Sequence, residues 1–280
     1  MVLLIGSVAY DPKVVTIWDG FRAYLRTQGV ETDYVLYSNY ERQVEDLLAG
    51  RIDLAWNSPL AWVRSRRLAS AQGVTVTPIF MRDTDRDLRS AVVTLTDGDV
   101  GTLADLKGKR IGVGAIDSPQ ATLIPSSYLR GQIGDDYDVV RFDVGVGLHG
   151  DHVGGERDAV RALRAGEVDA ACVLDANLLV FSQEGSAPAG TLRVLGHTDP
   201  YDHCMMTAGP AADPAEVEAL TQVFLAMSYA DPGVRRLLDL EGLTAWLPGR
   251  VEGFAQLERA VDETGFYSAE GGVDAVGYRP

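Results

Sequence analysis

Strand and helix patterns alternate from residue 2 to about residue 200, and this alternation constrains the fold more than any other feature. The run VLLIGSV at 2–8 is short and apolar, which is typical of a buried strand. After it, Val14, Ile17, Phe21 and Leu25 recur at helical spacing. Further strand and helix patterns follow in the same order, and the chain becomes mainly helical from residue 213. This order predicts an α/β fold in which parallel-rich sheets are flanked by helices.

A weak internal repeat indicates two similar lobes. The segments LLAGRIDLAWNSPL (47–60) and LRAGEVDAACVLDANL (163–178) have the same plan. In each, a helix pattern ends at Ala-Gly, an aliphatic residue and an aspartate follow, and an apolar strand leads into a polar turn. A length of 280 residues also suits two lobes of about 100–150 residues each.

Composition restricts the class of partner. The net charge of −15 argues against nucleic acid, because phosphate binding requires a basic face. Two cysteines are too few for a disulfide framework. An apolar run of transmembrane length is missing from the sequence, so we expect a protein that is not embedded in a membrane.

The first residues bear on location. Met1 leads directly into the strand pattern, without the basic region and cleavage site of a signal peptide. The sequence as encoded therefore predicts a cytoplasmic protein. The alternative is an extracytoplasmic protein from which a leader was removed.

Several stretches resemble the phosphate/phosphonate branch of the type 2 periplasmic solute-binding proteins. They include LLAGRIDLAWNSPLAWVR, TLADLKGKRIGVGAIDSPQATLIPSSYLR and RDAVRALRAGEVDAACV, and the resemblance covers about residues 2–230. It implies a two-lobe fold with a small ligand in the cleft between the lobes and an ABC permease as partner. The implied lobes are residues 1–96 with 203–280, and residues 97–202.

In open α/β sheets, ligands collect at the carboxyl ends of strands, where polar turns lead into helices. The turns AYDPK (9–13), SNYE (38–41), NSP (57–59), IDSPQ (116–120), HGDHVGGERD (149–158) and DAN (175–177) are therefore expected to line the cleft. The ligand-binding residues predicted from these turns and their neighbours are Tyr10, Asp11, Lys13, Tyr37, Asn57, Ser58, Ser118, Gln120, His149, His152, Glu156 and Asp175.

One turn departs from the family pattern that the resemblance implies. Phosphonate binders carry a run of hydroxyl residues before the second-lobe helix, whereas this chain has Ser118, Pro119 and Gln120. Only Ser118 keeps a hydroxyl, and a proline has no N–H to donate. We therefore expect weak affinity for simple phosphonates.

Histidines and a cysteine raise a second possibility. His149, His152, His203 and Cys204 would suit zinc or iron if they converged at the cleft. The alternatives are imidazole donors to an anionic ligand, or exposed loop residues. Imidazole binds metal in its neutral form and anions in its charged form, so acidification weakens the first kind of site and strengthens the second.

Two functions follow. The first is capture of a small polar or anionic molecule in the cleft. The second is a cytosolic enzyme on the same scaffold that uses His149, His152 and His203, with or without a bound metal. The charge-alternating turn RDTDRDLR (82–89) is interpreted as a solvated surface.

Overall fold

The computed structural model describes residues 2–143, 145–146, 149–150 and 152–280, the two dipeptides through their backbone alone. Within this part of the chain, strands form two larger sheets and one short hairpin. The strands are β1 (Leu3–Val8), β2 (Thr32–Tyr37), β3 (Leu54–Asn57), β4 (Thr77–Arg82), β5 (Ser90–Leu95), β6 (Arg110–Val113), β7 (Asp138–Arg141), β8 (Gly145–Val146), β9 (His149–Gly150), β10 (Ala170–Leu174), β11 (Leu192–His197), β12 (Met205–Ala208) and β13 (Trp246–Pro248).

Helices follow most of the strands, as the alternating pattern predicts. They are α1 (Lys13–Thr27), α2 (Tyr40–Leu48), α3 (Pro59–Ala71), α4 (Ile124–Ile133), α5 (His152–Arg164), α6 (Asn177–Gln183), α7 (Pro214–Leu225), α8 (Pro232–Glu241) and α9 (Ala255–Thr264). A π-helical turn at Pro119–Leu123 precedes α4. Among the described residues, no helix combines the length and apolarity needed to cross a membrane.

The first lobe contains the six-stranded sheet, in the order β13-β4-β12-β3-β1-β2. The second lobe contains the five-stranded sheet, in the order β11-β5-β10-β6-β7. Both sheets are mixed: β1 pairs parallel with β2 and β3, but β12 pairs antiparallel with β3 and β4. The predicted parallel-rich sheets are therefore only partly parallel. The reason is that β5 and β12 enter their sheets from a lobe crossing rather than from a β-α-β connection.

The internal repeat corresponds to equivalent places in the two lobes. In each lobe a glycine with positive φ ends the helix, Gly50 after α2 (φ 67°) and Gly166 after α5 (φ 75°). The strand that follows is β3 in one sheet and β10 in the other, and each is an interior strand. The structure agrees with the two-lobe interpretation of the repeat.

The lobes are joined at two crossings that pair with each other. Leu88 and Tyr201 exchange two backbone hydrogen bonds of 2.8 Å. The guanidinium of Arg250 binds the carboxylates of Asp87 and Asp202, one on each crossing. These contacts hold the two connecting segments side by side, next to the cleft.

The first crossing lies earlier than the predicted boundary between residues 96 and 97. Strand β5 belongs to the second-lobe sheet, where Val93 pairs with Ala171. The mainly apolar stretch SAVVTL suits either sheet, because a strand pattern does not identify its partner strands.

The apolar face predicted for α1 is buried against the first sheet. Val14, Ile17, Phe21 and Leu25 are all at most 2% exposed. Next to them, Phe80 and Phe224 stack with ring centroids 4.4 Å apart. This core fixes the first lobe and, with it, the strand ends that face the cleft.

Candidate functional site

A cavity of about 70 Å³ lies where the two lobes meet. It opens at the carboxyl ends of β2, β3 and β6, beside the first residues of the helices that follow them. The residues that line it are Tyr40, Glu41, Ser58, Pro59, Leu60, Asp117, Pro119, His152, His203, Cys204, Tyr267 and Tyr278.

Glu41 is the carboxylate on the first-lobe side of the cavity. It lies in the first turn of α2, which Asn39 caps by accepting a hydrogen bond from the N–H of Arg42. Its Oε1 accepts hydrogen bonds from the hydroxyls of Tyr267 (3.2 Å) and Tyr278 (2.9 Å). Its Oε2 is buried and has no hydrogen-bond partner among the described residues. An oxygen of this kind can accept a hydrogen bond from a ligand.

Two of the helices that begin at the cavity, α3 and the π-helical turn before α4, begin in the same way. Ser58 accepts a hydrogen bond from the N–H of Ala61, and Ser118 accepts one from the N–H of Ala121, each at 3.2 Å. A proline follows each serine and contributes no N–H. Each serine carbonyl accepts further N–H groups of its own helix start. Backbone donors that could hold an anion at a helix start are thus largely used within the protein.

His152 and Asp117 form the second-lobe side of the cavity. Asp117 lies in the turn between β6 and the π-helical turn, and His152 is the first residue of α5. The Nε2 atom of His152 is 3.3 Å from the Oδ1 atom of Asp117. A histidine that donates from Nε2 to a carboxylate is held in a fixed ring orientation. The pair places a second carboxylate in the cleft opposite Glu41.

His203 and Cys204 form the floor of the cavity at the return crossing. The Nδ1 atom of His203 is 3.5 Å from Asp85 Oδ1 and 3.1 Å from Cys204 Sγ. Burial raises the pKa of the Cys204 thiol, which favours its neutral form. The ligand atoms of Asp85, His203 and Cys204 lie close enough together that one metal ion could contact all three.

The chemistry of this cluster does not fit a divalent metal. Arg82 donates to both oxygens of Asp85, at 2.5 and 2.9 Å, so a buried cation already neutralises that carboxylate. A metal ion would have to bind beside the guanidinium, and like charges at close range repel strongly where water is excluded. His152 lines the same cavity but does not belong to the cluster. The predicted group of four zinc or iron ligands is therefore not assembled within the described residues.

The turn 82–89 is a solvated surface only in part: Thr84, Asp87 and Arg89 are exposed, but its first ion pair is not. Asp85 is 2% exposed, and Arg82 also binds Glu241 at 3.1 Å. Arg82 further lies over the ring of Trp56, 5.4 Å from its centroid. Opposite charges three residues apart neutralise each other here, which allows both to be buried behind His203.

Comparison with known proteins agrees with this geometry. The family described as ABC transporter, phosphonate, periplasmic substrate-binding protein matches residues 7–252. The chain belongs to this family. The resemblance predicted from the sequence is therefore confirmed. The comparisons give the enzyme alternative no support.

Relatives within and near the phosphonate-binding family are distant in sequence. The phosphate-import protein PhnD of Mycolicibacterium smegmatis is 23% identical over 226 residues, which cover 78% of this chain and 66% of that protein. The match thus spans slightly less than two thirds of the relative's length.

Solved structures confirm the two-lobe fold of the phosphonate-binding family. PhnD1 from Prochlorococcus marinus, in complex with methylphosphonate, is 17% identical with a TM-score of 0.65, covering 94% of this chain and 98% of that one. XAC2383 from Xanthomonas citri, bound to ATP, is 16% identical with a TM-score of 0.69, covering 94% and 97%. At these identities the likeness shows the fold alone.

Of the twelve predicted ligand-binding residues, the structure places Ser58 and His152 in the lining of the cavity. Ser118 lies just beneath it as a helix cap. The backbone of His149 is in β9, and its side chain is outside the described residues. Gln120 is 6% exposed, and its Oε1 is buried without a partner among the described residues.

Glu156 is part of the second-lobe framework and does not line the cavity. Its Oε2 accepts hydrogen bonds of 2.8 Å from the N–H of Leu174 and the side chain of Asn177. Burial raises its pKa to about 7. The sequence pattern failed here because a glutamate in the first half of a helix can face the cleft or the sheet, and α5 turns it toward the sheet.

Two further predicted residues are buried away from the cavity. The hydroxyl of Tyr37 donates to Asp46 at 2.8 Å. Asn57 is fully buried, with its side chain between Gln43 and Ser65. Both stand at strand ends, as predicted, but their side chains hold α2 and α3 against the sheet.

The remaining predicted residues lie outside the cavity lining. Asp11 accepts from the N–H of Lys13 at 2.8 Å, and the ammonium of Lys13 lies 5.9 Å from the ring centroid of Tyr10. Burial raises the pKa of the Tyr10 hydroxyl to about 12. Asp175 is 3.0 Å from the ring of His197. These contacts are local and near the surface.

Sequence reasoning missed Glu41, Tyr267 and Tyr278. A signal for Glu41 existed, since it closes the turn SNYE that was expected to line the cleft. The two tyrosines follow the last helix and carry no pattern that points to the cleft. The tertiary fold alone brings these two tyrosines to the cavity lining.

Proposed function

We propose that this chain is the substrate-binding component of an ABC importer. It works outside the cytoplasmic membrane and delivers its ligand to the permease. The family and the two-lobe cleft support this proposal. Proteins of this architecture deliver a ligand by closing the lobes around it. Fractionation of cells that express the native gene tests the location: recovery of the protein in the cytoplasmic fraction would contradict the proposal.

The chemistry of the cavity carries the proposal for the ligand. None of the described residues that line it is Lys or Arg, while Glu41 and Asp117 are carboxylates. Two of the helix starts at the cavity, those capped by Ser58 and Ser118, use most of their donors internally. We infer a small molecule that carries an amine, or an equally strong hydrogen-bond donor, and places it at the free Oε2 of Glu41.

The histidines support a second, acidic end of the ligand. His152 and His203 both line the cavity, and each is oriented by a carboxylate, Asp117 or Asp85. An imidazolium ring donates from both nitrogens, so in that form each histidine keeps its carboxylate partner and donates a second hydrogen bond to an anionic group of the ligand. The inferred ligand is therefore a small zwitterion, and a simple alkylphosphonate without an amine fits less well.

Calorimetry with a matched pair of probes tests this proposal. Ethylphosphonate and 2-aminoethylphosphonate share the acidic group and differ in the amine. A hydrogen bond to a charged group contributes about 1.5–3 kcal/mol, so we expect the amine to tighten binding by about tenfold or more. Equal binding of the two probes, or tighter binding of ethylphosphonate, would contradict it.

A further inference from the structure

The segment after the last helix, residues 265–280, lies beyond the residues that the family matches. It folds back on itself: Tyr267 pairs with Val273, and the N–H of Asp274 donates to the carbonyl of Phe266 at 3.1 Å. It also provides two residues of the cavity lining, Tyr267 and Tyr278. A part of the chain outside the shared family region thus completes the cleft.

The first half of this segment is fixed to α3. Arg64 donates to the carbonyl of Gly271 at 3.0 Å, and Arg67 donates to the carbonyls of Tyr267 and Ser268. Gly271 has φ 85°, and a Cβ added there would lie 2.7 Å from the side chain of Leu68. The close approach requires glycine. This half is therefore a fixed part of the first lobe.

The second half lies between the cavity and a separate hollow. The hollow measures about 450 Å³ and is bounded by Phe266, Asp274, Ala275 and Val276 on one side and by second-lobe residues on the other. Its second-lobe residues include Ile116, Thr122, Leu123, Tyr137 and Arg141. The segment thus separates the small cavity from the larger hollow.

Tyr278 holds the second half in this position. Its hydroxyl donates to Glu41 Oε1 at 2.9 Å, and its ring packs 5.0 Å from that of Phe266. Burial raises the pKa of the Tyr278 hydroxyl, so it remains a hydrogen-bond donor. In contrast, Val276, two residues away, is 96% exposed. The hydrogen bond to Glu41 is the contact that ties this part of the segment to the cavity.

We propose that segment 265–280 is the size-selecting wall of the ligand cleft and that Tyr278 is its specificity-determining residue. With the segment in place, the cavity of about 70 Å³ admits only a small ligand. Pockets for larger ligands measure about 300–1,000 Å³. Displacement of Tyr278 would connect the cavity to the adjacent hollow and admit a larger molecule. This inference rests on the proposed function only in taking the cavity as the ligand site.

Cys204 allows a test that needs no ligand. It lines the cavity, whereas Cys172 is fully buried in β10 and reports unfolding. The full chain is treated with methyl methanethiosulfonate or with the larger benzyl methanethiosulfonate, and peptide mass spectrometry gives the labelling rate at each cysteine. The rate depends on the thiolate fraction, but the ratio of the two rates at one thiol does not.

We expect Tyr278→Ala to raise the benzyl-to-methyl ratio at Cys204 by about tenfold, since the lost contact is a hydrogen bond to a charged group. The matched control is Tyr229→Ala, which removes a tyrosine that donates to Asp239 at 2.6 Å outside the cavity lining. This control should leave the ratio unchanged. An unchanged ratio in Tyr278→Ala, with Cys172 protected, overturns the proposal.

Labelling of Cys172 in Tyr278→Ala would mean that this variant unfolds. The labelling ratio is then measured on Tyr278→Phe, which keeps the ring and removes only the hydroxyl. A threefold or larger rise in the ratio, about 0.7 kcal/mol, supports the size-selecting wall, and no rise overturns it. Failure here leaves the probe calorimetry unaffected. Equal binding of the two phosphonate probes with a raised labelling ratio would instead contradict the proposed ligand and leave the wall in place.

Discussion

Glu41 and Glu156 are both buried carboxyls in the first half of a helix, and each has one oxygen without a hydrogen-bond partner among the described residues. They differ in which parts of the chain hold the other oxygen. The hydrogen-bond donors to Glu41 are tyrosines 226 and 237 residues away along the chain, and its second oxygen stays without a described partner. The donors to Glu156 lie 18 and 21 residues away, within the same lobe. Glu41 lines the cavity, and Glu156 does not.

The difference shows that burial does not identify a ligand residue. A buried carboxyl whose partners belong to its own β-α-β unit stabilises that unit, as Glu156 does. A buried carboxyl at a junction of distant segments that also lines the cavity is available to a ligand, as Glu41 is. The two glutamates therefore predict opposite outcomes in stability and binding experiments.

The largest expected effect is on folding, from Glu156→Ala. The substitution leaves the N–H of Leu174 and the side chain of Asn177 without their acceptor in a partly buried position. We expect a loss of about 3 kcal/mol or more in the free energy of unfolding. Urea denaturation near pH 4, where the carboxyl is mostly protonated in both the folded and the unfolded state, measures it with little contribution from ionisation of this group. Glu41→Ala should cost clearly less, and an equal cost would contradict the comparison.

A similar effect should appear in the pH dependence of Glu156→Gln. The folded-state pKa of Glu156 is about 7, above its ordinary value of 4.5, so the folded protein binds its proton more tightly than the unfolded chain. Glu156 therefore contributes fully to the wild-type free energy of unfolding below pH 4.5. This contribution decreases by up to about 3 kcal/mol as the pH rises to about 7. Glutamine cannot ionise and lacks this decrease.

We therefore expect the stability of Glu156→Gln, relative to wild type, to increase between about pH 4.5 and 7 and to be constant above. Thermal unfolding across that range measures it. The control Glu167→Gln, at an exposed position of the same lobe, should show no such trend. A difference that does not change with pH would mean that Glu156 ionises normally.

A smaller effect, on binding, is expected from Glu41→Gln. The amide keeps an oxygen for the two tyrosine hydroxyls but removes the charge and the free acceptor. Affinity for 2-aminoethylphosphonate should fall by about tenfold, with ethylphosphonate little affected. Calorimetry compares both probes on this variant and on Glu31→Gln, which changes an exposed glutamate. A loss for both probes alike would assign Glu41 a structural role.

The smallest effects should come from the serines that cap the two cleft-facing helices. Ser58→Ala and Ser118→Ala each remove one cap, which costs about 1 kcal/mol. Ser58 lines the cavity and Ser118 is fully buried, so only Ser58→Ala is expected to alter probe binding as well. Denaturation and calorimetry on both variants separate the two roles. Equal changes in probe binding for the two variants would contradict the different roles expected for Ser58 and Ser118.

The sequence by itself determined the two-lobe fold and the turns from which most of the cavity is built. Periodicity identified the apolar face of α1, and the Ala-Gly repeat identified equivalent strands in the two lobes. The turns SNYE, NSP and IDSPQ each contribute residues to the cavity lining. These features are local, since strand and helix patterns and helix starts depend on residues only a few positions apart.

The tertiary structure decided which side chains of those turns face the cavity and what else reaches it. It turned Glu156 toward the sheet, buried Arg82 with Asp85, and assigned β5 to the second lobe. It also brought Tyr278 to Glu41 across 237 positions of the chain. Such contacts depend on how whole elements pack, and a pattern of period 2 or 3.6 contains no information about which distant segment will meet it.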